Sequence, residues 1–161
     1  MEAPSQAHSH HAHHAPAASL DRIAIMATLH CLTGCAIGEV LGMAIGTALG
    51  WGNLATIVLA IALAFVSGYL FTMIPLVRAG IAVRAAARIA LAADTASITI
   101  MEIVDNLVML AIPGAMAATL DTPLFWGSLA VSLAIAGVAA YPVNRWLIAR
   151  GRGHALAHAR H

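Results

Sequence analysis

Four apolar segments separated by polar connections divide the sequence. They cover approximately residues 23–49, 54–77, 95–117 and 124–148. Each segment is close to the roughly 20 residues that a helix needs to cross the hydrocarbon core of a bilayer. The pattern therefore predicts an all-α, polytopic membrane protein with four transmembrane helices and short connecting loops.

The connections between these segments differ in length and charge. The turn "GWGN" joins the first two segments, and the stretch "TLDTP" precedes the fourth, so both of these loops are short. The second connection, residues 78–94, is longer. We interpret it as a short interfacial helix that carries Arg84 and Arg88 before the third segment begins.

Two polar tails flank the segments. Residues 1–20 are rich in Ala, Ser, Pro and His and contain the run "HSHHAHH". This composition cannot bury enough apolar surface to order itself, and imidazole is a common metal ligand. The predicted organisation is a disordered, His-rich tail over 1–20, a four-helix transmembrane domain over 21–150 and a basic, His-containing tail over 151–161. The first tail is either a metal-capturing segment or a solvated leader.

The arginines indicate an orientation. Arg22, the 78–88 region and the 145–160 region hold all eight basic residues, and the two short loops hold none. Basic residues are enriched on the cytoplasmic flanks of membrane helices. We therefore expect both termini to lie in the cytoplasm.

Composition narrows the functional classes. The chain is 61% hydrophobic and only 9% charged, whereas a soluble domain carries about 25% charged residues. The net charge of +1 gives no reason to expect a nucleic-acid partner. No nucleotide-binding loop, nucleophile elbow or zinc-protease motif is present in the sequence, so we do not expect an enzyme.

The first segment has a polar face. At about 100° per residue, Cys31, Cys35 and Glu39 share one side of a helix with glycines spaced four residues apart. Small residues at this spacing let helix backbones approach closely, so the glycines are interpreted as a packing surface. The two cysteines are interpreted as free thiols, because a disulfide within one helical turn is strained.

The third segment repeats the pattern in "MEIVDN", which contains Glu102, Asp105 and Asn106. We expect these acids and Glu39 to lie near the middle of their spans, where a charge costs a few kcal/mol. No arginine is expected at that depth. The acids must therefore be protonated, bridged by water or occupied by a cation.

A transition-metal site is the leading interpretation. Thiolates select copper(I), zinc and other soft or borderline ions, and carboxylates add oxygen ligands. The sequence therefore predicts that the protein binds or moves a copper or zinc ion. The predicted metal ligands are Cys31, Cys35, Glu39, Glu102, Asp105, Asn106 and His30.

Other functions fit the same residues. Intramembrane carboxylates also mark proton- or sodium-coupled carriers, in which the cysteines would be incidental. Paired thiols could serve a redox step, and polar stripes can also simply hold a membrane interaction module or an accessory subunit together. Four spans are few for an alternating-access carrier, so we expect a homo-oligomer or a membrane partner.

Three stretches carry a family resemblance. "HCLTGCAIGE", "MEIVDN" and "PVNRWLIARGRGH" are similar to motifs of a bacterial family of integral membrane proteins, known as domain-of-unknown-function family 4396. The resemblance covers the chain from Ile23 to its C-terminus. It implies a four-span protein of the bacterial cytoplasmic (inner) membrane, and it implies no particular activity.

Overall fold

The structure is a computed structural model that describes residues 19–150. This part of the chain forms four α-helices and contains no β-strand. The helices are α1 (Leu20–Ala48), α2 (Asn53–Arg78), α3 (Val83–Ala111) and α4 (Pro123–Ala149), with one 3₁₀ turn, Ala115–Ala117, between α3 and α4. The predicted all-α class is confirmed. The predicted tails, apart from Ser19 and Leu20, lie outside the described residues.

Three of the helices, α1, α2 and α4, are long and apolar enough to cross a membrane. Helix α3 has the same length as α1, 29 residues, but it carries five charged residues. Large apolar side chains are exposed on the outside of the bundle, among them Leu41, Val58, Leu107 and Val138. Such an outer surface is expected where lipid rather than water surrounds the helices.

Helix α3 differs from its prediction. A short interfacial helix within residues 78–94, separate from the third segment, was expected, and this is wrong: one helix runs from Val83 to Ala111. The alanine-rich stretch after Arg84 has high helix propensity, and the helix contains neither glycine nor proline. It ends before Pro113, which disfavours helical backbone at the preceding Ile112, and Ile112 is extended with ψ 116°.

The glycines of α1 form the contact with α2, as predicted. A Cβ atom added at Gly38 would lie 2.1 Å from the backbone nitrogen of Ala64, and one at Gly34 would lie 2.8 Å from the Cα of Gly68. These distances are below van der Waals contact, so the two backbones approach as closely as the absence of a side chain allows.

The two ends of the bundle differ in charge. All six arginines in the described residues are near the start of α1, the end of α2, the start of α3 or the end of α4, and we call this side the arginine end. Asp21 ties α1 to α4 there, because it accepts hydrogen bonds from Arg145 (2.6 Å) and Tyr141 (3.1 Å). The opposite side, formed by the connections 49–52 and 112–122, is the loop end.

Candidate functional site

A cavity of about 340 Å³ opens at the loop end of the bundle. All four helices and both loop-end connections contribute to its wall. Its polar lining includes Glu39, Thr47, Asn53, Thr56, Glu102, Asp105, Asn106 and Thr119, and the rest is mainly apolar. This volume has room for several water molecules, and the polar groups give them partners. We call it the loop-end cavity.

Three carboxyl groups lie at the inner part of this cavity. Glu102 and Asp105 come from α3 and are each only 4% exposed, and Glu39 reaches the same cavity from α1. The Glu39 and Asp105 side chains interact directly with each other. No arginine is among the residues that line the cavity, so its lining carries acidic groups without a basic counterpart.

Four carboxyl oxygens in this group are buried and, within the described residues, have no hydrogen-bond partner. They are Glu39 Oε1, both carboxyl oxygens of Glu102, and Asp105 Oδ1. A buried polar group without a partner costs on the order of 1–3 kcal/mol, and an unpaired charge costs more. Protons, water or a cation at these oxygens would therefore lower the free energy of the folded protein.

The acids do not lie at the middle of their helices, where we had expected them. Glu39 is five residues past the centre of α1, and Glu102 is five residues past the centre of α3. At 1.5 Å per residue both are displaced by about 7.5 Å toward the loop end. The expectation placed Glu102 centrally because it started the third segment near residue 95, whereas α3 begins at Val83.

A comparison with known families assigns the chain. The model of a domain of unknown function, DUF4396, matches residues 22–153. The chain belongs to this family. The matched residues cover all four helices except the first two residues of α1, and the family brings no activity with it. Comparison with curated proteins and with solved structures found no match.

Within the DUF4396 region, the structure divides the seven predicted ligands into two groups. Glu39, Glu102, Asp105 and Asn106 line the loop-end cavity, whereas the cysteines and His30 do not. The side-chain amide of Asn106 donates to the backbone oxygen of Glu102 at 2.9 Å. Among the described residues, no three His, Cys, Asp or Glu side chains are placed to hold one metal ion directly. The copper or zinc site stays a prediction.

The two cysteines are free thiols in the described structure, as predicted, and lie deep in the bundle. Cys31 is 3% exposed and Cys35 is 1% exposed, and both pack in one core cluster with Ile98 and Met101. Cys35 interacts with Glu102, at the edge of the acidic group. Cys31 instead interacts with Ser97, one turn nearer the arginine end.

Sequence reasoning missed a second polar group near the arginine end. Asp94 is 2% exposed and accepts a hydrogen bond of 2.5 Å from Thr72. The Thr72 hydroxyl is also 3.5 Å from Nε2 of His30. Asp94 was assigned to a loop. Its spacing of eleven residues from Asp105 corresponds to three helical turns, and this was the signal that could have revealed their common face.

Ser132 on α4 was also missed. It is fully buried beside Asp105, and its hydroxyl donates to the backbone oxygen of Leu129 at 3.0 Å. Ser128 lies four residues earlier on α4 and is buried as well. Residues four apart lie on the same face of a helix, so this pair of serines was the signal that could have singled out Ser132.

Proposed function

We propose that this protein binds a divalent metal cation at the carboxyl groups of Glu39, Glu102 and Asp105 and moves it along the inside of the bundle. The observation that carries this proposal is the set of four buried carboxyl oxygens without partners around a cavity that opens at one end. A cation supplies the missing interactions of several oxygens at once, which a single proton does not.

The ion keeps part of its water shell in this proposal. The acidic side chains are not placed to ligate one ion directly, and the cavity of about 340 Å³ leaves room for bridging waters. Water-mediated contacts are nearly as favourable as direct hydrogen bonds. A hydrated divalent cation can therefore be recognised by charge, with the carboxyl groups as its outer ligands.

The cavity opens to the periplasm if the helices are oriented as the arginines suggest. We propose that α3 is a fourth span, because its acids face inward and short loops connect it to α2 and α4. The arginine end is then cytoplasmic, with both chain termini. Exposed Trp51 and Trp126 at the loop end and Trp146 at the arginine end fit interfacial anchors.

Copper or zinc is favoured as the cation by one contact. The thiol of Cys35 interacts with Glu102, so an ion that moves inward from the cavity meets a sulfur ligand next to a carboxylate. Zinc accepts both oxygen and sulfur ligands, whereas copper(I) prefers sulfur. Zinc is therefore the transition metal that this pair of donors fits best. A homo-oligomer or a membrane partner remains part of the proposal, since four helices are few for a carrier.

Thermal unfolding of the purified full-length protein tests this function. Zinc should raise the Tm of the wild type, and the rise should be lost in Glu102→Gln and Asp105→Asn. Asp121→Asn is the matched control, because Asp121 is an exposed loop-end acid outside the cavity lining. Its hydrogen bond from Thr119 lowers the pKa of Asp121, so the control also removes a charge.

The full-length chain contains histidines that also bind zinc, so the decisive quantity is the difference between the variants. An equal response of Glu102→Gln and Asp121→Asn would refute the carboxyl site. An equal response of the wild type to magnesium and zinc would keep the divalent site and remove the role of Cys35.

A further inference from the structure

Three methionines line the loop-end cavity in addition to its acids. Met43 comes from α1, Met109 from α3 and Met116 from the 3₁₀ turn between α3 and α4. Met109 is 9% exposed, and the other two are half-buried. Three separate segments of the chain therefore bring a thioether side chain to the wall of one cavity.

Helix geometry places two of these methionines relative to the acids. The Glu39 and Asp105 side chains interact directly, and Met43 and Met109 each follow one of them by four residues. Residues four apart lie on the same face of a helix, about 6 Å along its axis. Both α1 and α3 run from the arginine end to the loop end. Met43 and Met109 therefore form the next layer of the cavity, between the carboxyl groups and the mouth.

The third methionine reaches the cavity through a turn at a glycine. Gly114 has a φ of 81°, a backbone conformation that residues with a side chain rarely adopt. The chain changes direction there after α3, and the turn Ala115–Ala117 packs back with Ala115 fully buried. Met116 lies on the cavity wall as a result. Two helices and a loop-end turn thus contribute sulfur near the mouth.

Thioethers differ from carboxyl groups in the cation that they prefer. They are uncharged, polarizable ligands, and soft ligands of this kind select copper(I) over hard cations. They also hold no proton that a metal must displace, whereas thiolates, carboxylates and imidazoles compete with protons for the metal. The acids one turn farther inside supply negative charge that attracts a cation toward the neutral sulfur atoms.

We propose that Met43, Met109 and Met116 form a binding site for a soft monovalent cation, copper(I), at the mouth of the loop-end cavity. The three rotatable bonds of a methionine side chain let each sulfur adjust to one shared ion. The site stands without the carboxyl site, because its ligands include none of the acids. Only passage of the ion from the thioethers to the inner carboxyl groups rests on the proposed function.

Titration with silver(I) at acidic pH tests the thioether site. Silver(I) is a soft monovalent ion that stands in for copper(I) and does not need a reductant. Calorimetric titration of the purified full-length protein is carried out in a nitrate buffer at about pH 5, where an ordinary histidine with a pKa of about 6.5 is almost fully protonated. The wild type should bind silver(I) under these conditions, since thioethers are unaffected by protons.

Methionine-to-leucine substitutions are the decisive variants, because they remove the sulfur and nearly preserve volume and apolar character. Met43→Leu, Met109→Leu and Met116→Leu should each weaken silver binding about tenfold or more, since even residues that only support a metal site have effects of this size. Met101→Leu is the matched control. Met101 is fully buried in α3 and does not line the cavity, so its substitution should leave silver binding unchanged.

Equal silver affinity of the wild type and Met109→Leu would overturn the proposal. Loss of silver binding in the double variant Cys31→Ser, Cys35→Ser would place the ion at the thiols and would also overturn it. If that double variant does not fold, Met109→Leu still decides the outcome.

The zinc response of the Tm, measured on the same proteins, separates this site from the proposed function. Met43→Leu should keep the zinc response that Glu102→Gln loses. Failure of the thioether site and failure of the carboxyl site are therefore distinguishable. Loss of the zinc response in Met43→Leu would show that both layers hold one ion and would overturn the separate thioether site.

Discussion

The carboxyl group of Glu39 on α1 faces that of Asp105 on α3 at the inner part of the loop-end cavity. The two residues are 66 positions apart in the sequence, and the bundle brings them together without a basic residue in the cavity lining. Two like-charged groups in this arrangement oppose folding unless a proton, water or a cation separates them. Their juxtaposition is therefore informative about ligand binding.

Removing one of these two charges should not weaken the metal-free protein. Glu39→Gln keeps the shape of the side chain and removes the repulsion with Asp105, so the free energy of unfolding without metal should be equal or higher. The same variant should lose the stabilisation by zinc. Thermal unfolding with and without a chelator measures both quantities. A large loss of metal-free stability would identify Glu39 as a structural residue instead.

The close contact between α1 and α2 should be sensitive to a single methyl group. In Gly38→Ala the new Cβ would lie 2.1 Å from the backbone of Ala64, so the helices must separate. We expect a loss of about 1–3 kcal/mol or more in the free energy of unfolding. Gly127→Ala is the matched control, because nothing lies within 4 Å of its Cβ position in α4.

In the control, alanine improves helix propensity, so Gly127→Ala should be neutral or slightly stabilising. Unfolding in a mild detergent with increasing denaturing detergent gives both values on one scale. Equal stability of the two variants would show that the α1–α2 contact can open without cost.

The two cysteines should differ in their effect on metal binding. Cys35 interacts with Glu102, whereas Cys31 interacts with Ser97 and lies farther from the cavity. Cys35→Ala should therefore weaken zinc binding about tenfold, in the range found for residues that support a metal site, and Cys31→Ala should change it little. Titration of zinc into each full-length variant provides the measurement. An equal loss in both variants would instead indicate one ion shared by the two thiols.

The proposed orientation predicts which loops can be reached from the periplasm. Single cysteines introduced at Asn53 and Asp121, in a protein whose native cysteines are replaced by serine, should react with an impermeant maleimide in intact cells. A cysteine at Arg84 should react only after lysis, because the arginine end is expected to be cytoplasmic. Labelling at Arg84 in intact cells, with protection at Asn53, would reverse the topology.

The sequence predicted the helical class and much of the acidic group because both depend on local periodicity. Glu102, Asp105 and Asn106 lie within two helical turns, and Glu39 lies on the same face as the glycines that pack against α2. The positions of Asp94 and Ser132 depend on where α3 begins and on how the helices pack, which local periodicity does not determine. Asp94 is part of α3 only because the alanine-rich stretch before it is helical. Ser132 is relevant to the acidic group only because α4 packs it beside Asp105 of α3.

The sequence also could not predict that His30 lies away from the loop-end cavity. His30 and Cys31 are neighbours in the chain, but consecutive residues point about 100° apart around a helix. The ring of His30 turns toward α2, where it packs edge-on against Phe71 with centroids 5.5 Å apart. Which neighbouring helix occupies each direction is decided by tertiary packing, so the sequence alone could not assign His30 and Cys31 to different surroundings.

The unbroken course of α3 has a mechanical consequence. Sharp bends in helices arise mainly at proline, at glycine or at local bulges. Helix α3 contains no proline and no glycine. One stiff helix therefore carries Asp94, Ser97, Glu102 and Asp105. A rotation or a sliding step of α3 would displace the polar groups at both levels together, so a change at the mouth of the loop-end cavity would reach the arginine end without an intervening hinge.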